Sequence, residues 1–340
     1  MIRISTFLLL ILMGFAACLS AQDTHFSQFY ASPLNLNPAL TGISDGDYRA
    51  AAIYRNQDRS FTTPYVTYSG SFDIKLLQNL LKSDVFGVGA VFLGDRSGDG
   101  VLAMNNVMLS ASYHKSLGKE HKHFLGIGIQ GGLTQKSVNW NRLSYPDQNA
   151  GDYFDLSKPN YESVAKGSIS FFDLNAGLLY QGWIKKDEDG IFGGVSFAHI
   201  NSPKQSFYDE NTHLPVRYTF HAGAYIKLVK HVYLTPNVLF LYQDKALETN
   251  IGTAVEYHVA MKKSTFVAFV GVWDRINDAF ITSAGIEYYK IRLSFAYDIT
   301  TSSLTYATQN RSAFELAIIY TGFIKSKEVQ YPRLVPCPRM

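Results

Sequence analysis

The sequence predicts an all-β fold: a transmembrane, antiparallel, up-and-down β-barrel of about fourteen strands, with N- and C-termini periplasmic. Three observations lead there. Short segments alternate apolar and polar residues along most of the chain. Apolar residues make up 46% and aromatics 14% of the 340 residues, yet beyond residue 21 no stretch approaches the roughly 20 apolar residues of a membrane helix. The opening residues carry the pattern of an export signal.

Residues 1–21 place Arg3 ahead of an apolar run from Phe7 to Phe15, followed by small residues ending at Ala21. That is the order of a cleaved signal peptide whose apolar core is too short to span a bilayer, so the mature chain is expected to begin at Gln22. Phe15-Ala16-Ala17-Cys18 offers a second pattern, lipid attachment at Cys18, but has Phe where a small aliphatic residue is usual. Removing the signal leaves Cys337 as the single cysteine, and no intramolecular disulfide is expected. The net charge of +3, with Lys and Arg scattered among Asp and Glu, gives no footprint for nucleic acid.

Residues 22–46 contain FSQFYASPLNLNPALTG, positions 26 to 42. Each Pro removes a backbone donor and the Asn side chains compete for backbone groups, so this stretch is poorly suited to extend a ladder. Two readings stand side by side. The segment plugs or lines the periplasmic mouth of the barrel, with Asn satisfying inward polar groups and Phe26, Phe29 and Tyr30 packing over small wall residues. Alternatively it is an ordered lead-in without a gating role.

Residues 47–324 are expected to form the barrel. In IRLSFAYD, Ile291, Leu293, Phe295 and Tyr297 share one face, and Arg292, Ser294, Ala296 and Asp298 the other. Charges facing lipid are costly, so Arg292 and Asp298 look inward and the register follows. The segments 172–178, 218–224, 251–257 and 314–320 repeat the pattern, with Gly and Ala recurring on the inner face. Strands are expected near Ala51, Tyr68, Val88, Leu109, Ile129, Asn175, Gly194, Ala222, Val238, Thr253, Phe269, Ala284, Phe295 and Ala317. Short turns then fall at 119–122, 185–189, 229–231 and 261–263 on the periplasmic side, and the long connections 138–167 and 201–214 fall outside. KLLQNLLKS, residues 75–83, is the one segment with helical periodicity. A soluble β-sandwich or lipocalin-like barrel shares the alternation but would turn its apolar side chains inward.

No catalytic, cofactor or metal spacing emerges. His121 and His123 sit in a charged turn without a third ligand nearby, and the Gly-rich run 126–132 lacks the helix a phosphate loop requires. The inward Arg292, Asp298, Glu256, His258, Glu287 and Glu315 read as a polar network of the lumen, with a transport or gating role as the sharper alternative.

Several motifs carry a family resemblance. Phe26-Ser27-Gln28-Phe29-Tyr30, followed by Pro33, Asn35, Asn37, Pro38 and Gly42, resembles the N-terminal signature of the PorP/SprF family. Tyr54-Arg55-Asn56-Gln57 resembles its first strand, and Ser196 with His199, Asn201 and Pro203 its His-Leu-Asn-x-Pro stretch. Trp273, Arg275 and Asp278 match its Gly-x-Trp-x-Arg-x-x-Asp-Ala turn. The run from Tyr297 to Leu304 and the terminal Pro336-Cys337-Pro338-Arg339 close the series. The chain departs from the family at Asp58, where an aromatic is frequent, and at Met340, where Phe or Tyr is frequent.

The resemblance implies a non-enzymatic outer-membrane barrel of type IX secretion and gliding in Bacteroidota. Its expected partners are periplasmic ring and lipoprotein subunits, a large secreted surface adhesin, and outer-membrane lipid. Residues 325–340, basic and Pro-bearing, read as an extended periplasmic tail suited to docking on a partner, with Cys337, Pro338 and Arg339 near its end. A FadL-like or porin-like channel for a small solute is the competing function.

Overall fold

The computed structural model describes residues 23–324 apart from 59–62, 82, 99–101, 156, 160–165, 186–187, 209, 261–264, 304 and 306–310. The expected signal peptide, Cys18 and the tail with Cys337, Pro338 and Arg339 lie outside the described residues. Alternating sequence has become fourteen strands: β1 (Tyr48–Gln57), β2 (Tyr65–Leu76), β3 (Val85–Ser97), β4 (Leu102–Leu117), β5 (His123–Ser137), β6 (Ser168–Lys185) and β7 (Asp189–Ala198), then β8 (Arg217–Val229), β9 (Val232–Gln243), β10 (Ala246–Ala260), β11 (Thr265–Arg275), β12 (Ala279–Tyr288), β13 (Ile291–Thr300) and β14 (Arg311–Gly322). Each pairs antiparallel with its neighbours in sequence, and β1 closes on β14 from Tyr48↔Gly322 to Gln57↔Ala313. Closure satisfies every ladder and leaves no open edge, the condition for crossing a membrane as strands.

The period-two pattern sorts the side chains. On β13, Ile291, Leu293 and Phe295 are exposed on the outer face, whereas Arg292, Ala296 and Asp298 are buried on the inner one. Two-residue turns at 230–231 and 289–290 mark the rim where β1 begins and β14 ends; the opposite rim carries the loops 138–167 and 199–216. Of KLLQNLLKS, only Gln78–Leu81 is helical, because β2 continues through Leu76 to pair with Phe86 of β3. Trp273 and Arg275 are not in a turn. They close β11 as inward-facing, buried residues, and only 276–278 link β11 to β12. Alternation from Phe269 through Gly271 carries both side chains inward, where each finds a partner.

The core of this barrel is its lumen. Residues 26–43 are buried almost without break, as a 3₁₀ turn (Phe29–Ala31), one α-turn (Pro33–Leu36) and a second 3₁₀ turn (Pro38–Leu40). Pro33 and Pro38 each sit at the start of a turn, where a missing N–H costs nothing. Phe26, Phe29, Tyr30, Leu36 and Leu40 pack against Ile53, Phe124, Leu179, Phe192, Leu239, Trp273 and Ile281 of the wall. The segment does not stop at one mouth. Asp23 lies at the long-loop rim, against residues at the ends of β7, β8 and β9, and the chain descends the whole lumen to enter β1 at the short-turn rim. Asp23 and Gly322 therefore sit at opposite rims of the barrel.

Glycine makes the seat. A Cβ at Gly177 of β6 would overlap the Asn37 side chain, and one at Gly128 of β5 would overlap the Pro38–Ala39 backbone. Gly177→Val is therefore expected to expel the middle of the segment and cost about 1–3 kcal/mol. Limited proteolysis should then cut within 23–46 while heat-modifiability on gels shows the barrel intact; protection equal to the parent would show that the wall does not hold the segment there.

Candidate functional site

The candidate site is the occupied lumen, built from the wall inward. At its short-turn end, Arg49 of β1 faces its ladder partner Asp73 of β2 in a bidentate pair, Nε to Oδ1 at 2.9 Å and Nη2 to Oδ2 at 3.0 Å. The same guanidinium donates to the carbonyls of Leu40 and Ile43, each at 3.0 Å. Asp73 also accepts the Gly42 N–H at 2.7 Å. Gly42 has φ of 72°, a left-handed turn that glycine adopts without strain. This clamp turns the segment into β1.

Midway, Asn37 reaches across to three strands, β6, β7 and β8. Its Nδ2 lies 3.0 Å from the Leu178 carbonyl and 3.1 Å from Nε2 of His221, while Oδ1 caps Ala39 N–H at 2.8 Å. Ser196 donates to the Leu36 carbonyl, Gln130 to that of Leu34 and Ser112 to that of Thr41. Asn35 donates to Ser32 and Ser69. A backbone that cannot join a ladder thus finds its acceptors satisfied by wall side chains.

Nearer the long-loop end lies a buried ionic knot. Glu315 of β14 accepts the backbone N–H of Ser27 at 2.6 Å and of Gln28 at 2.8 Å. Arg55 of β1 donates to Glu315 at 2.7 Å, to Asp298 of β13 at 3.1 Å and to Ser27 Oγ at 2.6 Å. Ser27 Oγ donates to Asp298 at 2.7 Å, and Arg275 of β11 approaches Asp298 at 3.2 Å. Two arginines balance two carboxylates around one hydroxyl. Beside the knot, Tyr30 packs on Trp273, 5.7 Å between ring centroids, and Trp273 donates to Asn237 at 2.8 Å.

At the rim, three alternate residues of the lead-in are anchored in turn. Asp23 Oδ2 lies 2.6 Å from His199 Nε2 and 3.0 Å from Gln243 Nε2, with Arg217 at 3.5 Å. His199 Nδ1 meets Asp173 of β6 at 2.7 Å. His25 lies 3.2 Å from Glu248; Ser27 joins the knot. Burial opposes the charge of Asp23, but the His199 hydrogen bond and the charges of Arg217, His199 and Lys136 outweigh it and hold the carboxyl below its ordinary range. Burial likewise opposes the His199 charge, and hydrogen bonds to Asp173 and Asp23 overcome it, raising the imidazole above its usual value.

The six expected lumen residues divide in two. Asp298 and Glu315 belong to the knot. Arg292 forms a separate cluster at the short-turn end, 2.9 Å from Glu256 and 3.1 Å from Glu287, with His258 at 2.9 Å from Glu256. Asn201 and Pro203 brace the loop after β7: Asn201 accepts Leu174 N–H and donates to the Phe172 carbonyl, and Pro203 accepts Leu214 N–H. Asp278 accepts from Arg275 at 3.0 Å. Asp23, Arg49 and Asp73 were not singled out in the sequence, although Arg49 shares its face with Arg55 by parity. Among the described residues no group of three or more His, Cys, Asp or Glu could hold a metal ion.

Replacing Arg55 by Met leaves buried carboxylates short of a partner and should cost about 3–5 kcal/mol in unfolding from detergent micelles; a cost under about 1 kcal/mol would remove the knot from its central place. For pH, His199 contributes fully below its ordinary 6.5 and loses that contribution as pH rises through its raised value. Asp23 contributes fully above its ordinary 3.8 and loses it only as pH falls through its depressed value. The rim anchor should hold best between these limits and loosen first on the alkaline side. A spin label at Thr24→Cys, with Cys337→Ser, should gain mobility above neutral pH in the parent and lose that response in His199→Gln. A parent spectrum flat with pH would refute it.

Comparison with known proteins adds a family. The model for the type IX secretion system membrane protein PorP/SprF matches residues 19–320. No curated protein matches the sequence. Among solved structures, the Ralstonia pickettii toluene transporter TbuX is similar at 10% identity, over 85% of this chain and 92% of that one, with a TM-score of 0.50. A deltaS2 mutant of the TodX monoaromatic hydrocarbon channel gives 9%, 85%, 93% and 0.50 in the same order. Such distant likeness speaks to the barrel fold alone. The family match spans nearly all of the barrel and the segment inside it: the chain belongs to the PorP/SprF family of type IX secretion system membrane proteins.

Proposed function

We propose that the protein is a plugged outer-membrane barrel serving type IX secretion through its interactions rather than as an open conduit. In this reading the signal peptide is removed on export, and the short-turn rim faces the periplasm, meeting ring and lipoprotein subunits of the machinery. The long loops face outward and support export or surface anchoring of one large adhesin, in secretion or gliding. The observation that carries the reading is the occupied lumen: residues 26–43 fill it and are held by buried charge pairs at two levels. A channel for a small solute would have to expel a segment bonded to most of the strands around it, at the cost of orphaned buried charges.

The test is a gentle detergent pull-down of tagged protein from its native outer membrane, with mass spectrometry and planar-bilayer conductance on the same material. Recovery of secretion-ring components or one large surface protein, with no steady conductance until residues 23–43 are deleted, is expected. Recovery of the folded barrel alone, with solute-selective conductance of the intact chain, would overturn the proposal in favour of a FadL-like or porin-like channel.

A further inference from the structure

At the long-loop end, a half-enclosed cavity of about 50 Å³ lies between the lead-in and the wall formed by β3 to β8. Five titratable side chains line it: Asp23 from the lead-in, Lys136 of β5, Asp173 of β6, His199 just beyond β7 and Arg217 of β8. The contacts of His199 fix the proton count. Its Nε2 lies 2.6 Å from Asp23 Oδ2 and its Nδ1 2.7 Å from Asp173 Oδ2. An ionised carboxylate only accepts, so each of these two short contacts needs a proton, and the Asp23, His199 and Asp173 triad holds two. Whether both protons sit on the ring or one sits on a carboxyl, the triad carries a net charge of one negative unit.

Arg217 stands 3.5 Å from the same Asp23 oxygen and balances that unit. Lys136 is the surplus. Its Nζ donates to a neutral acceptor, Gln205 Oε1, at 2.6 Å and pairs with no carboxylate among the described residues, although its charge is felt at Asp23. The lining therefore holds one positive charge more than it holds negative ones, in a half-enclosed place where an uncompensated charge is costly. Donors are at hand for a counter-ion. Lys136 keeps two N–H groups beyond its bond to Gln205, and Thr134, whose oxygen accepts from Asn106 at 2.7 Å, keeps its O–H. Counting about 10–15 Å³ per water, the space takes one small ion with a water or two. A divalent anion would overshoot the charge, and a neutral solute would leave it uncompensated.

We propose that this cavity binds one small monovalent anion of the halide class, such as chloride, with Lys136 and Thr134 as its donors. The anion completes the charge balance around the lead-in. Removing one of the two protons of the triad cancels the surplus, so the anion is released as pH rises through the raised value of His199. The site is independent of the secretion role, and either can fail without the other.

Chloride NMR line broadening on the full-length barrel tests this, in a non-ionic detergent with gluconate as the bulk anion. Saturable excess broadening is expected at about pH 6, displaced by bromide at concentrations similar to chloride and by sulfate about tenfold less readily, and largely lost by about pH 9. Lys136→Gln should weaken chloride binding about tenfold or more. Lys245→Gln, which alters an exposed lysine in the turn between β9 and β10 on the same rim, should leave it unchanged. His199→Gln removes the triad's extra proton and should abolish the same signal, which serves if Lys136→Gln does not fold; the pH profile and the sulfate comparison need no variant. Absence of saturable broadening, broadening flat with pH, broadening indifferent to both variants, or displacement by sulfate as ready as by bromide would each overturn the proposal.

Discussion

Charged side chains on the inner wall of a barrel have only one another, water, or a guest to satisfy them, and here the guest is the start of the same chain. Glu315 shows the dependence most directly. It accepts two backbone N–H groups from the segment and a guanidinium from β1, so strand closure, segment position and charge balance are settled at one carboxylate. Removing any one of them strands the others in a buried site, where an unpaired charge costs far more than a surface salt bridge contributes.

The grip on the segment changes along its length. At the short-turn end a bidentate arginine pair and a left-handed glycine fix the entry into β1; midway, backbone lies directly on Gly128 and Gly177 with no side chain between. Toward the long-loop rim, contact passes from apolar packing to charged and hydrogen-bonded anchors: Asp23 with His199, Gln243 and Arg217, His25 with Glu248, and Ser27 inside the knot. Polar anchors of this kind respond to pH and competing ligands, whereas the glycine seat responds only to displacement of the whole segment.

Much of the barrel was legible because alternation is a local property. Each expected strand centre falls within one observed strand, and the inward parity of Arg292, Asp298, Glu256 and Glu315 holds. Parity failed to bound the turn near Trp273 and Arg275, since a Trp and an Arg at a strand end read as rim residues until a lumen partner is known. The helical pattern at 75–83 shrank to one turn because pairing of β2 with β3 claimed its first residues. The site was less legible: Asp23 and Arg49 carry no motif, and their importance arises only from what they face.

The sequence by itself determined the fold class, the strand count, the faces of the strands and the resemblance to a family, because a period of two and an ordered set of motifs are read along the chain. Only the tertiary structure decided that the N-terminal segment runs the full lumen from the long-loop rim, and that the expected polar network is two clusters. Those outcomes rest on contacts such as Ser27 with Glu315, 288 residues apart. Strand alternation says which side of the wall a carboxylate faces; closure of β14 on β1 says what it meets there.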